Sequence, residues 1–324
     1  MELALDTKLK SLDREFSHLR KATASIDWCQ QHWWDPDSNQ LTVDDWLYVD
    51  AAYRSRALDL PMTGHATVPC IDMANHASAL ETGALYETNE SQDAILILAD
   101  GKTLDAGSDV TITYGDEKGA CEMIFSYGFI ESSQKTSSDL FLDVKVPEDD
   151  PLALAKKQVG IAAPGIRLFE SDGKAAWEGP FVWLLCLNEE DGLEFKIALK
   201  TDGTRELQMF FKDELITDGQ ILLAKLRQED LWDVLQLRAA TIVQARIEEQ
   251  LLRLNDNKRC VTEAIESHAK ELAISLRDLE ESLMLEAYEA IAAEKDALLQ
   301  SPTVLGFLAK ASGSQVDEEA DDFS

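Results

Sequence analysis

Between residues 61 and 131 the chain changes texture. Short apolar runs cut by turns (ATVPCIDMANHA, DAILILADGKTLDAGSDVTITYGD, GACEMIFSYGFIE) stand between two stretches of helical spacing. Runs this short, punctuated by Asp, Gly and Pro, cannot build long amphipathic helices and predict a small, irregular β fold. Ala94 to Leu98 and Val110 to Thr113 read as strands, with the Asp100, Gly101 pair marking a tight turn between them.

The flanks are helical. Leu5, Leu9, Leu12, Phe16 and Leu19 recur at steps of three to four, the period of a helix with one buried face. A second helix starts near Thr42, where the hydroxyl and Asp45 three residues on make a capping-box pattern, and Trp46, Val49 and Tyr53 fall on one side. WWDPDSNQ between the two reads as a loop. Downstream, DLFLDVKV alternates like a half-buried strand. Beyond Pro151, helical stretches mix with FVWLLCL, FKIALK and LQMFF, the last two joined by a turn at Asp202 and Gly203. Ile221 to Leu254 and Val261 to Leu299 are strongly helical, and Ile265, Leu272, Leu276, Leu279 and Leu283 are spaced as in an antiparallel hairpin or short coiled coil. That pair reads either as a partner-binding surface or as intradomain packing. The tail SGSQVDEEADDFS is acidic and poor in apolar residues, so disorder is expected.

Sixty-one Asp and Glu against 30 Lys and Arg give a formal charge of −31. That excess repels phosphate backbones, which argues against direct nucleic-acid binding and mildly against self-association; its complement is a basic polypeptide, although acidity also serves solubility alone. Cys29, Cys70, Cys121, Cys186 and Cys260 are odd in number and form no CxxC or Cys/His cluster, so neither a disulfide framework nor a zinc site is expected. The start, MELALDTKLKSLDREF, is not a signal peptide, and no window approaches a membrane span. A cytosolic or nuclear location is expected.

Taken singly, the chemically interesting residues have plain explanations. His76 beside Asn75 reads equally as a core histidine; Tyr86, Tyr114 and Tyr127 as buried aromatics with a backbone partner; Asp72 as a turn acid; Arg56 as a surface charge at a helix end. Their joint order is more informative. VPCIDMANHA is followed, 38 residues after His76, by Tyr114 in YGDEKGACEMIFSYGFI. This resembles the two signature blocks of the SET domain, an NH pair and then a YG with a YGF closing behind it. More closely it resembles the branch related to the plant Rubisco large-subunit methyltransferase, in which a helical insertion splits the SET core and a helical domain follows. YRSRALDLP is similar to the end of that insertion.

The resemblance implies an α+β fold: a helical insertion at 1–60, the C-terminal half of a β-rich SET core at 61–131, a mostly helical substrate-binding-like domain at 132–312, and an acidic tail at 313–324. It implies S-adenosylmethionine as cofactor and a protein lysine as methyl acceptor, in a basic, non-histone partner such as a ribosomal protein; a histidine acceptor is known in the wider branch. Asn75 and His76 would lie beneath the cofactor adenine, with Arg56 reaching the cofactor and target-lysine region. Tyr114 would stand at the methyl-transfer channel, Tyr86 and Tyr127 would wall the lysine slot, Phe129 would pack behind, and Asp72 would stand just before the NH pair.

The chemistry accounts for these residue types. Methyl transfer from a sulfonium to an amine is an in-line displacement, so the protein mainly aligns the reacting atoms. The amine must arrive neutral although its free pKa is about 10.4, and a desolvating aromatic slot disfavours the ammonium. A methylated, cationic product is held by cation–π attraction, and no metal is required. Two departures follow from the comparison with the family pattern. Gly119 and Ala120 stand where an Asn usually precedes the Glu, here Glu122, and no Gly-x-Gly turn precedes residue 60. Part of the cofactor pocket and the pairing of some strand edges are therefore expected to be missing. That fits either a chain beginning inside a longer gene or an interaction module built on a degenerate core.

Overall fold

Helix α1 (Glu2–Ala22) forms where the Leu/Phe spacing predicts it and buries Leu12 and Phe16. After it, α2 (Asp27–Cys29) runs into a wide helical turn, Gln30–Trp34. Trp33 and Trp34 therefore belong to a helical turn rather than to the expected loop. The reason is burial: Trp34 meets Phe16 edge-on at 5.8 Å and donates its indole N–H to Thr23 Oγ1 at 3.1 Å. Helix α3 (Val43–Arg54) begins with the predicted capping box, Thr42 accepting from the Asp45 amide and Asp45 accepting from the Thr42 amide. Asp50 on α3 binds Lys8 of α1 and Arg54 of its own helix, each at 2.7 Å.

The computed structural model describes residues 2–37, 40–60, 64–78, 81–115, 118–132, 134–200, 203–257 and 267–321, with side chains from residue 5 to 256 and from 268 to 311 within those spans. Two compact units divide it, Met1–Ser133 and Gln134–Ser324. Residues 38–39 of the loop, Pro61, Asp116, Glu117, Asp202, Cys260 and Ile265, all used in the sequence reading, lie outside the described residues.

The remainder of the first unit is made of small sheets. Strands β1 (Leu58–Leu60) and β2 (Gly64–Ala66) pair antiparallel, and β3 (Asn75–His76) waits for a distant partner. Strands β4 (Ala84–Thr88) and β5 (Ala94–Leu98) form an antiparallel hairpin, while β6 (Thr111–Ile112) pairs parallel with β3. The expected hairpin between 94–98 and 110–113 is thus not the pairing adopted: the turn at Gly101 exists, but β5 folds back on β4 through Asn89, whose side chain accepts from the Asp93 amide. Leu58, Leu60, Ala84 and Ile112 form the core of these sheets. Helix α4 (Ala120–Tyr127) closes the unit and ends on Gly128 at φ +79°, a left-handed cap that suits glycine. Arg54 fastens α3 to α4, donating to the Phe125 carbonyl at 2.7 Å and stacking on its ring.

In the second unit helices predominate, with two three-stranded antiparallel sheets among them. Strand β7 (Asp139–Asp143) is followed by α5 (Ala153–Gln158), then β8 (Gly165–Ser171) and β9 (Lys174–Glu178) complete the first sheet. FVWLLCL, read as an apolar run among strands, is instead largely helix α6 (Pro180–Leu185), with proline at its first turn. Strands β10 (Leu193–Leu199), β11 (Arg205–Phe211) and β12 (Glu214–Ile216) form the second sheet.

The long helical stretch from Ile221 splits into α7 (Gly219–Leu226) and α8 (Trp232–Asn257); Trp232, which opens α8, stacks on Trp183, which in turn stacks on Trp177. Ala239, Val243 and Ile247 on one face of α8 share a buried cluster with Leu283, Met284 and Ile291 of α9 (Ser267–Leu299). Helix α10 (Pro302–Asp321) continues through most of the acidic tail expected to be disordered. The Gln, Glu and Ala of that stretch are adequate helix formers, even with little apolar content.

Candidate functional site

Parallel pairing of β3 with β6 sets Asn75 opposite Thr111 and His76 opposite Ile112. Side chains alternate along a strand, so His76 turns inward while Asn75 stays exposed. Both nitrogens of the His76 ring are engaged. The Tyr114 amide donates to Nδ1 at 3.1 Å, and Nε2 meets Glu131 Oε1 at 2.6 Å. An amide donor at Nδ1 requires a lone pair there, which places the neutral ring's proton on Nε2, where it is donated to Glu131. The ring is therefore an internal brace 38 residues before Tyr114 and 55 before Glu131.

Three aromatic rings gather on this brace. Tyr114 lies 5.1 Å from His76 and 4.6 Å from Tyr127, and Phe129 packs 5.7 Å from His76 and 6.3 Å from Tyr127. Tyr114 donates its hydroxyl to the Ala74 carbonyl at 2.8 Å, and Tyr127 donates to the Tyr114 carbonyl at 3.3 Å. The Tyr114 proton is thereby committed, leaving its oxygen lone pairs as acceptors. Burial, then the neighbouring Tyr127, pushes the Tyr114 hydroxyl above the usual tyrosine pKa against an opposing pull from Arg56. Tyr86 is raised too, first by burial and then by Asp59 and Tyr127. Both tyrosines stay neutral at any ordinary pH.

In front of the rings opens a slot of about 90 Å³, walled by Tyr86, Tyr114 and Tyr127 with Arg56, Asp72 and Lys118 around them. Pockets for drug-sized molecules run to roughly 300–1,000 Å³, so this space suits a single extended side chain. One wall atom is out of balance: Asp72 Oδ1 is buried with no hydrogen-bond partner among the described residues. A buried acceptor left unpaired costs free energy and calls for a donor or a cation. Arg56, exposed, rests its guanidinium against Met73 Sδ. Aromatic walls, neutral phenol acceptors and one unpaired carboxylate oxygen can desolvate an alkyl amine and orient its nitrogen.

Of the residues singled out from the sequence, Arg56, Asp72, Tyr86, Tyr114 and Tyr127 come together on the slot, and His76 and Phe129 stand behind it. Asn75 does not line the slot. Sequence reading missed Asp59, His65 and Lys118 on the wall and Glu131 behind His76. Lys118 lies inside the YGDEKGA run, whereas nothing local in the sequence pairs Glu131 with His76. Among the described residues no cluster of His, Cys, Asp and Glu is built to hold a metal ion, and no helix is long and apolar enough to cross a membrane.

No family model matches this chain. It is 32% identical over 210 residues to SET domain-containing protein 8 of Schizosaccharomyces pombe, a match covering 64% of this chain and 46% of that protein. It is also 32% identical over 120 residues to the chloroplastic [fructose-bisphosphate aldolase]-lysine N-methyltransferase of Arabidopsis thaliana, covering 35% and 25% of the two chains. In structure it resembles Rubisco LSMT bound to AdoMet with a TM-score of 0.58 at 18% identity, over 91% of this chain and 63% of the other. The fold is that seen in Rubisco LSMT, and the matched stretches are similar in sequence to a SET domain-containing protein and to a lysine N-methyltransferase. The chain spans about half the length (46%) of the fission-yeast protein it matches.

Proposed function

We propose that this chain carries the lysine slot of an S-adenosylmethionine-dependent protein lysine N-methyltransferase. The observation that carries the proposal is the convergence of Tyr86, Tyr114 and Tyr127 on one narrow space whose unpaired acceptor is Asp72 Oδ1. A buried, unpartnered carboxylate oxygen also fits a sulfonium donor, since the cofactor and an incoming amine both bring positive charge or N–H donors to it. Arg56 and the exposed Asn75 would hold the cofactor, with the His76 segment supporting them. When bound, the cofactor supplies an electrophilic methyl group.

The chain's own residues supply alignment. Tyr114, its hydroxyl proton donated to the Ala74 carbonyl, accepts from an amine N–H and points the nitrogen lone pair along the slot; Tyr86 and Tyr127 exclude water from the alkyl stem, and Phe129 packs behind Tyr114 and Tyr127. Residues 1–60 act as the helical insertion and end in Arg56 and Asp59 on the slot wall, 61–131 act as the half of the core that bears the slot's tyrosines, and 132–312 as the substrate-binding part. The excess of 61 acids over 30 bases supports a basic, non-histone protein substrate such as a ribosomal protein. Free thiols at Cys29, Cys70, Cys121 and Cys186 support a reducing compartment, cytoplasm or nucleus.

Incubating the full chain with trideuteromethyl-labelled S-adenosylmethionine and a basic protein fraction, then mapping label by mass spectrometry, tests the reading. Label on lysine supports it, and label on histidine changes the acceptor. No label, together with no binding of S-adenosylmethionine in a calorimeter, overturns it.

A further inference from the structure

Lys118 is the slot's unexplained feature. Its side chain is about three-quarters buried, with 28% exposed, and lies on the wall with Tyr86, Tyr114 and Tyr127. The space for its stem comes from Gly115. That residue sits at φ +127°, and a Cβ there would come within 2.7 Å of Lys118 Cε and 3.2 Å of Cδ. Any side chain at 115 would thus displace the lysine as well as strain the backbone. At the far end Nζ binds Glu122 at 2.7 Å and stands 5.8 Å from the Tyr127 ring centre. A positive charge is therefore held at the slot by a backbone cradle, an ion pair and an aromatic face.

We propose that the Lys118 ammonium is a fixed charge that biases the slot toward the neutral form of an incoming primary amine. The inference rests on the lysine-slot reading above. A nucleophilic amine needs its lone pair, and a like charge a few ångströms away disfavours the ammonium form. The other fixed charges on the wall, Arg56 with Asp59 and Asp72, sum to one negative charge, so the bias is the difference that Lys118 makes against that background. Arg56 adds to it. Asp59 and Asp72 oppose Arg56, two carboxylates against one guanidinium, and His65 completes the charged or titratable side chains of the β1–β2 side. Glu122 partners Lys118 but is 53% exposed, so water screens much of its field. The tyrosines Tyr86 and Tyr114 are held neutral. Lys118 itself keeps its charge: burial pulls its pKa down, yet the Glu122 hydrogen bond and Tyr127 more than offset this and leave it raised.

The test is an NMR titration of the full chain, with S-adenosylhomocysteine present, using Nα-acetyl-L-lysinamide as probe across pH 7 to 9. This molecule has one titrating amine, whose neutral fraction rises about tenfold per pH unit below its pKa. Wild type and Lys118→Arg are expected to bind it more tightly as pH rises, by close to that factor. Lys118→Met and, as a second variant, Lys118→Gln are expected to bind about tenfold more tightly than wild type at pH 7, the equivalent of one pKa unit, and to depend less on pH. Equal affinity and equal pH dependence in wild type and a folded Lys118→Met or Lys118→Gln overturn the charge proposal while leaving the slot in place. Absence of binding in all four folded proteins overturns the slot reading and the charge proposal with it.

Discussion

Replacing His76 by alanine should destabilise the first unit by about 4 kcal/mol, a figure assembled from three losses that do not add fully. The Nε2–Glu131 bond at 2.6 Å is charge-assisted, and such bonds contribute about 1.5–3 kcal/mol. With the ring gone, the Tyr114 amide that donated to Nδ1 at 3.1 Å loses its acceptor, at about 1–3 kcal/mol for a buried donor. Ring contacts to Tyr114 and Phe129, at 5.1 and 5.7 Å, add about 0.5–1.5 kcal/mol. Water entering the alanine cavity recovers part of the total, which sets the estimate in the lower part of the range. Glu131→Gln keeps a neutral hydrogen bond and should cost only about 1 kcal/mol. Hydrogen-exchange mass spectrometry on peptides containing Tyr114 reports the local effect, and urea unfolding the global one. A His76→Ala protein within 1 kcal/mol of wild type, with the Tyr114 amide equally protected, would refute the brace.

Three other outcomes are expected. Asp50 is drawn up by burial but pulled further down by hydrogen bonds from Lys8 and Arg54, so its pKa is lowered; the stability it contributes is present above the ordinary carboxylate range and lost as pH falls through the lowered value. Asp50→Asn should therefore flatten the acid limb of thermal stability between pH 5 and pH 2, and an unchanged limb counts against the Lys8–Asp50–Arg54 cluster. Lys156, 2% exposed, gives its ammonium to Asp150 at 2.6 Å and to the Leu187 carbonyl at 2.7 Å, so Lys156→Met should cost the second unit about 3–5 kcal/mol by stranding Asp150, measured by urea unfolding. Burial pushes the Cys186 thiol up to about 12 against Arg238 and Lys156, whereas Cys70 is exposed. At pH 8 a thiol-exchange reagent should modify Cys70 quickly and Cys186 only after denaturation.

What could be read from the sequence was local or ordered along the chain. The Thr42–Asp45 capping box needs residues three apart and is present as expected. Tyr114 and Tyr127 were legible through their motif blocks, and the two rings do meet. Long-range pairing was not legible. Nothing near Val110 says that residues 111–112 pair parallel with 75–76 rather than antiparallel with 94–98. The split between α7 and α8 has no glycine or proline to announce it, and the Trp232 that opens α8 stacks on a residue distant in sequence, Trp183. FVWLLCL could not be told from a buried strand because a short apolar run has no readable period. Lys118 escaped notice because its meaning depends on the bare backbone of Gly115 and on the slot beside it.

The chain's six tyrosines allow the central claim to be tested in one spectrum. With tyrosine rings labelled in carbon-13, titration of the full chain with Nα-acetyl-Nε-methyl-L-lysinamide should shift the Tyr86, Tyr114 and Tyr127 signals along one binding curve and leave Tyr48, Tyr53 and Tyr288 in place. Movement of the exposed Tyr48 and Tyr53 alone, or three different curves for the slot tyrosines, would contradict a single lysine slot.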